Sequence, residues 1–162
     1  EHIGRQLYSF DPGLGYSFGL FCHVGMPVLV KAVRGYAGTV TEALARKDRT
    51  FTQTENAAHR TDHAVMGAIV ARTWHLPPDV AQAIWLHHDF SCLSDERFDA
   101  TVRHLVALGL LAEYLVHHHE NLTPTREWTL HGQACMDHLY VTQDELNHWI
   151  DELYPAFEAV SV

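Results

Sequence analysis

Basic residues are few in this sequence, and their scarcity argues against a protein that binds nucleic acid. The chain of 162 residues holds eleven Lys and Arg against twenty Asp and Glu, which gives a net charge of −9 at pH 7. Binding to a phosphate backbone depends on clustered cationic side chains, whatever the base sequence. We therefore expect no nucleic-acid partner.

Cysteines and long apolar runs are also scarce. The three cysteines, Cys22, Cys92 and Cys135, are an odd number at wide spacing, which is typical of a reducing compartment rather than of a disulfide framework. Apolar runs such as residues 105–112 fall short of the roughly 18 to 20 residues that span a membrane. We expect a cytoplasmic protein without membrane contact. Because Glu1 is not an initiator Met, we also expect a fragment of a longer chain.

Strand signals are missing as well, and helical periodicity takes their place. No pair of β-branched runs flanks an Asn-Gly or Asp-Gly turn, whereas apolar residues recur at intervals of three or four. Helix starts are predicted at Asp11, at Thr61 and at the capping box that begins with Thr142. A long central helix is predicted over 98–119 and a loop over 121–132. The sequence predicts an all-α protein, with one domain over residues 1–162.

Histidine is the residue in excess, with fourteen copies. Imidazole is the commonest metal ligand in proteins and titrates near neutral pH, so each histidine needs an interpretation. His117, His118 and His119 close the long predicted helix, where cations complement the helix dipole, and we interpret them as a solvated helix end. The histidines whose grouping suggests a metal or catalytic site are His23, His63, His87 and His88.

Three segments in fixed order carry a resemblance to a known family. Residues 19–25 read GLFCHVG, residues 61–68 read TDHAVMGA, and residues 74–77 read WHLP and lead to His87 and His88. Together they resemble the HDOD family, the HD-related output domain of bacterial signalling proteins. The resemblance spans about residues 11–159 and implies a compact helical bundle of the HD type. Since HDOD domains usually begin with further helices, it also implies that part of the N-terminal half is missing.

The wider HD superfamily contains metal-dependent phosphohydrolases, whose first motif is a His-Asp pair. Aligning the glycines of residues 19–25 with that motif places Cys22 at the His position and His23 at the Asp position. Met26 stands where some active relatives carry Lys, and Glu113 resembles a late Asp. The resemblance therefore implies no catalytic residue. It leaves as candidate metal ligands Cys22, His23, His63, His87, His88 and Glu113.

Two interpretations of these six residues remain open. Thiolate, imidazole and carboxylate are competent ligands, so the set is suited to a single transition-metal ion. Alternatively, no cofactor is bound, Cys22 is a small buried hydrophobe, and the histidines hydrogen-bond to one another and to Asp62 or Asp89.

Three functions correspond to these interpretations. The favoured one is a non-enzymatic regulatory module that acts on a protein partner or an adjacent signalling domain. The alternative is a phosphohydrolase that acts on a nucleotide or cyclic dinucleotide with a rearranged ligand set. A third is a metal or redox sensor that uses Cys22.

Overall fold

The computed structural model describes residues 10–46 and 48–160, and in that part of the chain every regular element is helical. This confirms the predicted all-α fold. One element is a short 3-10 helix (Phe90–Ser94). The α-helices are α1 (Pro12–Phe21), α2 (Gly25–Ala32), α3 (Tyr36–Ala45), α4 (Phe51–His59), α5 (His63–Thr73), α6 (Pro78–Leu86), α7 (Ala100–His119), α8 (Arg126–Leu139) and α9 (Gln143–Val160).

Local capping explains where several helices begin. The Asp11 side chain accepts a hydrogen bond from the amide of Gly13 at 2.8 Å, with Pro12 as the first helical residue. At α9, Thr142 and Glu145 exchange side-chain and backbone hydrogen bonds, which confirms the predicted capping box.

Three sequence predictions of local structure were wrong. Asp62 rather than Thr61 caps α5, since its carboxylate accepts from the amide of Val65 at 2.9 Å. Helix α4 was not predicted at all. The segment predicted as a loop over 121–132 contains the start of α8, which is capped by Thr125.

The core lies around α7, the longest helix. Its buried face packs against α6 and α8, and the C-terminal helix α9 adds further apolar side chains to the same cluster. The fully buried residues of α7 are Val102, Leu105, Val106, Ala107 and Leu111. Helices α2, α5 and α6 pack beside this core and carry the segments that the sequence analysis singled out.

Helices α2 and α5 cross at two glycines. A Cβ atom built on Gly25 would collide with the carbonyl oxygen of His63 and lie 2.7 Å from the amide nitrogen of Gly67. A Cβ built on Gly67 would lie 2.9 Å from Cγ2 of Ile84 and 3.5 Å from the nitrogen of Gly25. The two backbones are therefore in direct contact, which fixes the turn before α2 against the first residues of α5.

Replacing Gly67 by Leu should destabilise the protein. Overpacking a core costs about 1 to 3 kcal/mol, which exceeds the roughly 1 kcal/mol of helix propensity gained by removing a glycine. Thermal unfolding of Gly67→Leu should therefore occur below the wild-type temperature. Gly19→Leu is the matched control, since no atom of the described residues lies within 4 Å of a Cβ at Gly19. Equal melting temperatures for the two variants would contradict the close contact of α2 and α5 at Gly67.

The sequence analysis underestimated the length of one apolar segment. Pro12–Ala32 has 21 residues and a mean hydropathy of 1.4, so by length and composition it is able to cross a membrane. A mostly buried core helix passes the same test, but only 22% of the most apolar 18-residue window of this segment is buried; in the structure the segment is divided by the turn at residues 22–24. Phe18 and Leu29 in its two halves are buried. The segment packs in the helical bundle as two helices.

Candidate functional site

Four histidines converge on one point in the structure. His23 lies in the turn between α1 and α2, His63 is the first residue of α5, and His87 and His88 follow the end of α6. One ring nitrogen from each lies within 4.8 Å of the others. We call these four residues the histidine cluster.

The nitrogens of the histidine cluster are close enough to share one bonding partner. Nε2 of His63 lies 3.1 Å from Nε2 of His88 and 3.2 Å from Nε2 of His87. The Nδ1 atom of His23 lies 3.4 Å from the same Nε2 of His63. The Nε2 atom of His63 is thus the centre of the cluster.

Helix α4 supplies the partner of the central ring. The carboxylate of Glu55 is fully buried and lies 2.7 Å from Nδ1 of His63. The same carboxylate accepts a hydrogen bond from the backbone amide of His63 at 3.2 Å and one from the hydroxyl of Tyr36. Glu55 is the acceptor in both of these bonds, and Nδ1 of His63 faces the same carboxylate as a donor.

Two further partners orient the rings that follow α6. Nδ1 of His87 lies 2.7 Å from the carbonyl oxygen of Ile84, which only accepts hydrogen bonds, so this nitrogen carries the proton. Nδ1 of His88 lies 2.8 Å and 3.0 Å from the two carboxylate oxygens of Glu127 in α8. In both residues the nitrogen that faces the cluster is Nε2.

These protonation states leave lone pairs that face one another. A neutral imidazole carries one proton, and that proton lies on Nδ1 in His63 and His87, and also in His88 when Glu127 is ionised. Their Nε2 atoms then approach to 3.1 Å and 3.2 Å with no proton between them. A cation placed among the lone pairs removes this repulsion. The three distances to Nε2 of His63 are close to the roughly 3.3 to 3.4 Å between two ligands of one zinc ion, and all four nitrogens lie within 4.8 Å of one another.

Burial favours the neutral form of three rings of the cluster. It lowers the pKa of His23 to about 4, with the neighbouring His63 adding a smaller effect in the same direction. The pKa values of His87 and His88 are also well below the usual range, first because of burial and then because of the other rings. Neutral imidazoles are the form that binds metal ions. The donor chemistry of the cluster therefore fits a metal ion.

Two of the six predicted ligands lie outside the cluster. The thiol of Cys22 lies 3.5 Å from the carbonyl oxygen of Gly19 as a hydrogen-bond donor, and burial raises its pKa to about 11. Such a thiol stays protonated at neutral pH, which makes it a weak nucleophile and ligand. Glu113 lines the neighbouring cavity, and burial raises the pKa of its carboxyl group. The structure thus brings together the four histidines and places Cys22 and Glu113 around them.

The predicted carboxylate partners of the histidines were wrong. Asp62 caps α5 and accepts from the side chain of Asn56, and Asp89 bonds to Ser91 at the start of the 3-10 helix. The histidines bond instead to Glu55 and Glu127, which the sequence analysis missed. Thr50 and Gln53, three residues apart, form a capping box that marks the helix carrying Glu55. No comparable signal identifies Glu127 as a partner of His88.

A cavity of about 680 Å³ opens beside the cluster. His23 and His88 lie in its wall, together with Glu113, Glu127 and Arg49. Of the cluster residues His23 is the most exposed, while His63 and His87 are buried. An ion or a small molecule can therefore reach the histidines from the cavity without unfolding of the helices around them.

Comparison with known proteins gives one match. A family model described as HDOD domain matches residues 1–90, more than half of the chain, and this range contains all four histidines of the cluster. Neither the curated proteins nor the solved structures contain a significant match.

Proposed function

Because the chain belongs to the HDOD family, we propose that it is a cytoplasmic regulatory domain without enzymatic activity, which acts through contacts with a partner protein or an adjacent signalling domain. The observation that carries this proposal is the composition of the histidine cluster. All four converging groups are imidazoles, and the resemblance to the HD enzymes implies that His23 stands at the position of their bridging Asp.

The missing carboxylate argues against two-metal phosphoester hydrolysis. Two cations at short separation repel strongly, and a bridging carboxylate is what offsets that repulsion and holds them at a working distance. The nearest carboxylates, Glu55 and Glu127, are directed at Nδ1 atoms on the far sides of His63 and His88. They are therefore placed to orient the rings rather than to bridge ions.

The same cluster supports binding of one transition-metal ion. Imidazole nitrogen favours ions such as zinc, cobalt, nickel, copper and iron, whereas magnesium and calcium prefer oxygen ligands. The proposal includes a single zinc, cobalt, nickel, copper or iron ion, held by His23, His63, His87 and His88. When bound, the ion would hold the turn before α2 against the residues that follow α6.

Exposed apolar side chains support a role in protein contacts. Trp74 is 58% exposed and packs edge-on against Phe21, with ring centroids 5.8 Å apart. Leu20, beside Phe21, is 60% exposed. Large apolar and aromatic side chains at the surface are typical of interfaces between proteins.

Metal content and phosphoester turnover test the proposal together. We expect the purified, untagged protein loaded with zinc to retain about one ion per chain. We expect no hydrolysis of generic phosphodiesters or nucleotides when manganese, magnesium or iron is added. Hydrolysis that disappears in His63→Ala or His88→Ala would contradict the regulatory function and would favour the phosphohydrolase.

A further inference from the structure

Each of two rings of the histidine cluster is oriented by a buried carboxylate from a helix that contributes no ligand. Glu55 of α4 bonds to Nδ1 of His63 at 2.7 Å, and Glu127 of α8 bonds to Nδ1 of His88 at 2.8 Å. Side-chain exposure is 0% for Glu55 and 11% for Glu127. We infer that Glu55 and Glu127 are positioning residues of the metal site. This inference rests on the metal binding proposed above.

The first step of the argument concerns which nitrogen is available. A neutral histidine without a fixed partner exchanges its proton between Nδ1 and Nε2, and only one of the two forms presents a lone pair to the ion. An ionised carboxylate at Nδ1 holds the proton there and leaves Nε2 free. It also makes the imidazole more basic, which strengthens its bond to a cation.

The second step concerns electrostatics. Imidazole binds a metal ion as a neutral ligand, so the positive charge of an ion in the cluster has no compensation from the ligands themselves. In their ionised forms, which a bound cation favours, Glu55 and Glu127 supply negative charge one ring away from the ion on two different sides. Neither carboxylate needs to move to do so, since both already bond to the rings.

The third step concerns where Glu127 lies in the chain. All four histidines fall within residues 1–90, the range that the family model matches, whereas Glu127 belongs to α8 beyond that range. Trp128, the next residue, stacks on Tyr114 of α7 with ring centroids 3.9 Å apart, which fixes the start of α8 against the core. The C-terminal half therefore helps to determine how tightly the N-terminal half holds a metal ion.

The test is a measurement of zinc affinity for the full chain, by competition with a chromophoric chelator. Loss of an outer-shell partner typically lowers metal affinity 10-fold to 100-fold, and we expect this range for Glu127→Gln. Asp137→Asn is the matched control, because it removes an exposed carboxylate near the other end of the same helix. We expect its zinc affinity to equal that of the wild type.

Two further measurements distinguish positioning from a loss of fold. The metal-free Glu127→Gln protein should melt within a few degrees of the metal-free wild type, and the visible spectrum of bound Co²⁺ should change. Glu55→Gln provides a second variant with the same expected loss of affinity. If the wild type binds zinc and Glu127→Gln binds it equally tightly, the inference is wrong. If the wild type does not bind zinc, the proposed metal centre fails and the inference fails with it.

Discussion

Gly25→Ala is expected to lower the stability of this protein by an unusually large amount for the addition of a single methyl group. The added Cβ would collide with the carbonyl oxygen of His63, and it would lie 2.7 Å from the amide nitrogen of Gly67. Both obstacles are backbone atoms of α5, so no side chain is able to rotate away. We expect a loss above the usual 1 to 3 kcal/mol of overpacking, and a melting temperature lower by about 10 °C or more.

The matched control is the same substitution at an open glycine. Gly38 lies within α3, and among residues 10–46 and 48–160 nothing lies within 4 Å of a Cβ built there. Gly38→Ala should raise stability by about 0.5 to 1 kcal/mol, because alanine is the better helix former. If the Gly25→Ala protein melts at the same temperature as the wild type, α2 and α5 do not meet at these residues.

Mild acid is expected to destabilise the metal-free protein through the histidine cluster. Histidines in the unfolded chain take up protons below their ordinary pKa of about 6.5, whereas the lowered pKa values of His23, His87 and His88 keep them neutral in the native state. Above pH 6.5 both states are neutral and this effect is absent. Below pH 6.5 His87 and His88 each cost up to about 1.4 kcal/mol of stability per pH unit until the native pKa is reached, and the more exposed His23 costs less because solvent screens its charge.

Carboxyl groups near the cluster oppose this loss. Burial raises the pKa of Glu127 to about 7, so in mild acid the native state holds a proton there that the unfolded chain lacks. The raised pKa of Glu113 acts in the same direction. Attraction by Glu55 and Asp62 also raises the pKa values of His23 and His88, but burial is the larger effect. The lowered pKa values of the histidines outweigh these groups, and we expect a net loss of stability between pH 6.5 and 5.

Melting curves in the presence of a chelator test this prediction. His87 is the informative position, because it is buried and bonds to the carbonyl of Ile84 rather than to a carboxylate. His87→Gln should lose less stability than the wild type between pH 6.5 and 5. His148→Gln, at a side chain that is 74% exposed, serves as the control. If His87→Gln and the wild type respond equally to acid, the native cluster takes up protons and is not held neutral by burial.

Most of the fold was predictable from the sequence because its signals are local. The cap at Asp11, the box at Thr142 and the length of the central helix all depend on neighbouring residues in the chain. Helix α8 was missed because Pro124 and the polar residues around it favour a loop, whereas the helix starts at the cap Thr125 and is stabilised by packing on α7.

The histidine cluster was only partly predictable. The resemblance to the HDOD family implied that His23, His63, His87 and His88 face one cleft together with Cys22 and Glu113, and the structure brings the four histidines together. The partners of the rings depend on which side chains the tertiary packing brings near them. Glu127 lies 39 residues from His88, and no local pattern connects the two. Asp62 is next to His63 in the sequence and Asp89 is next to His88, but each carboxylate accepts a hydrogen bond from a backbone amide of its own segment.

The hydrogen bond between the His63 amide and Glu55 also has a consequence for exchange kinetics. Amides in the first turn of a helix have no partner within that helix, so they usually exchange with solvent deuterium within the fastest class. The His63 amide is instead bonded at 3.2 Å to a carboxylate with no exposed surface. Its exchange therefore requires α4 to separate from α5, and the rate at this single amide reports how often that opening occurs.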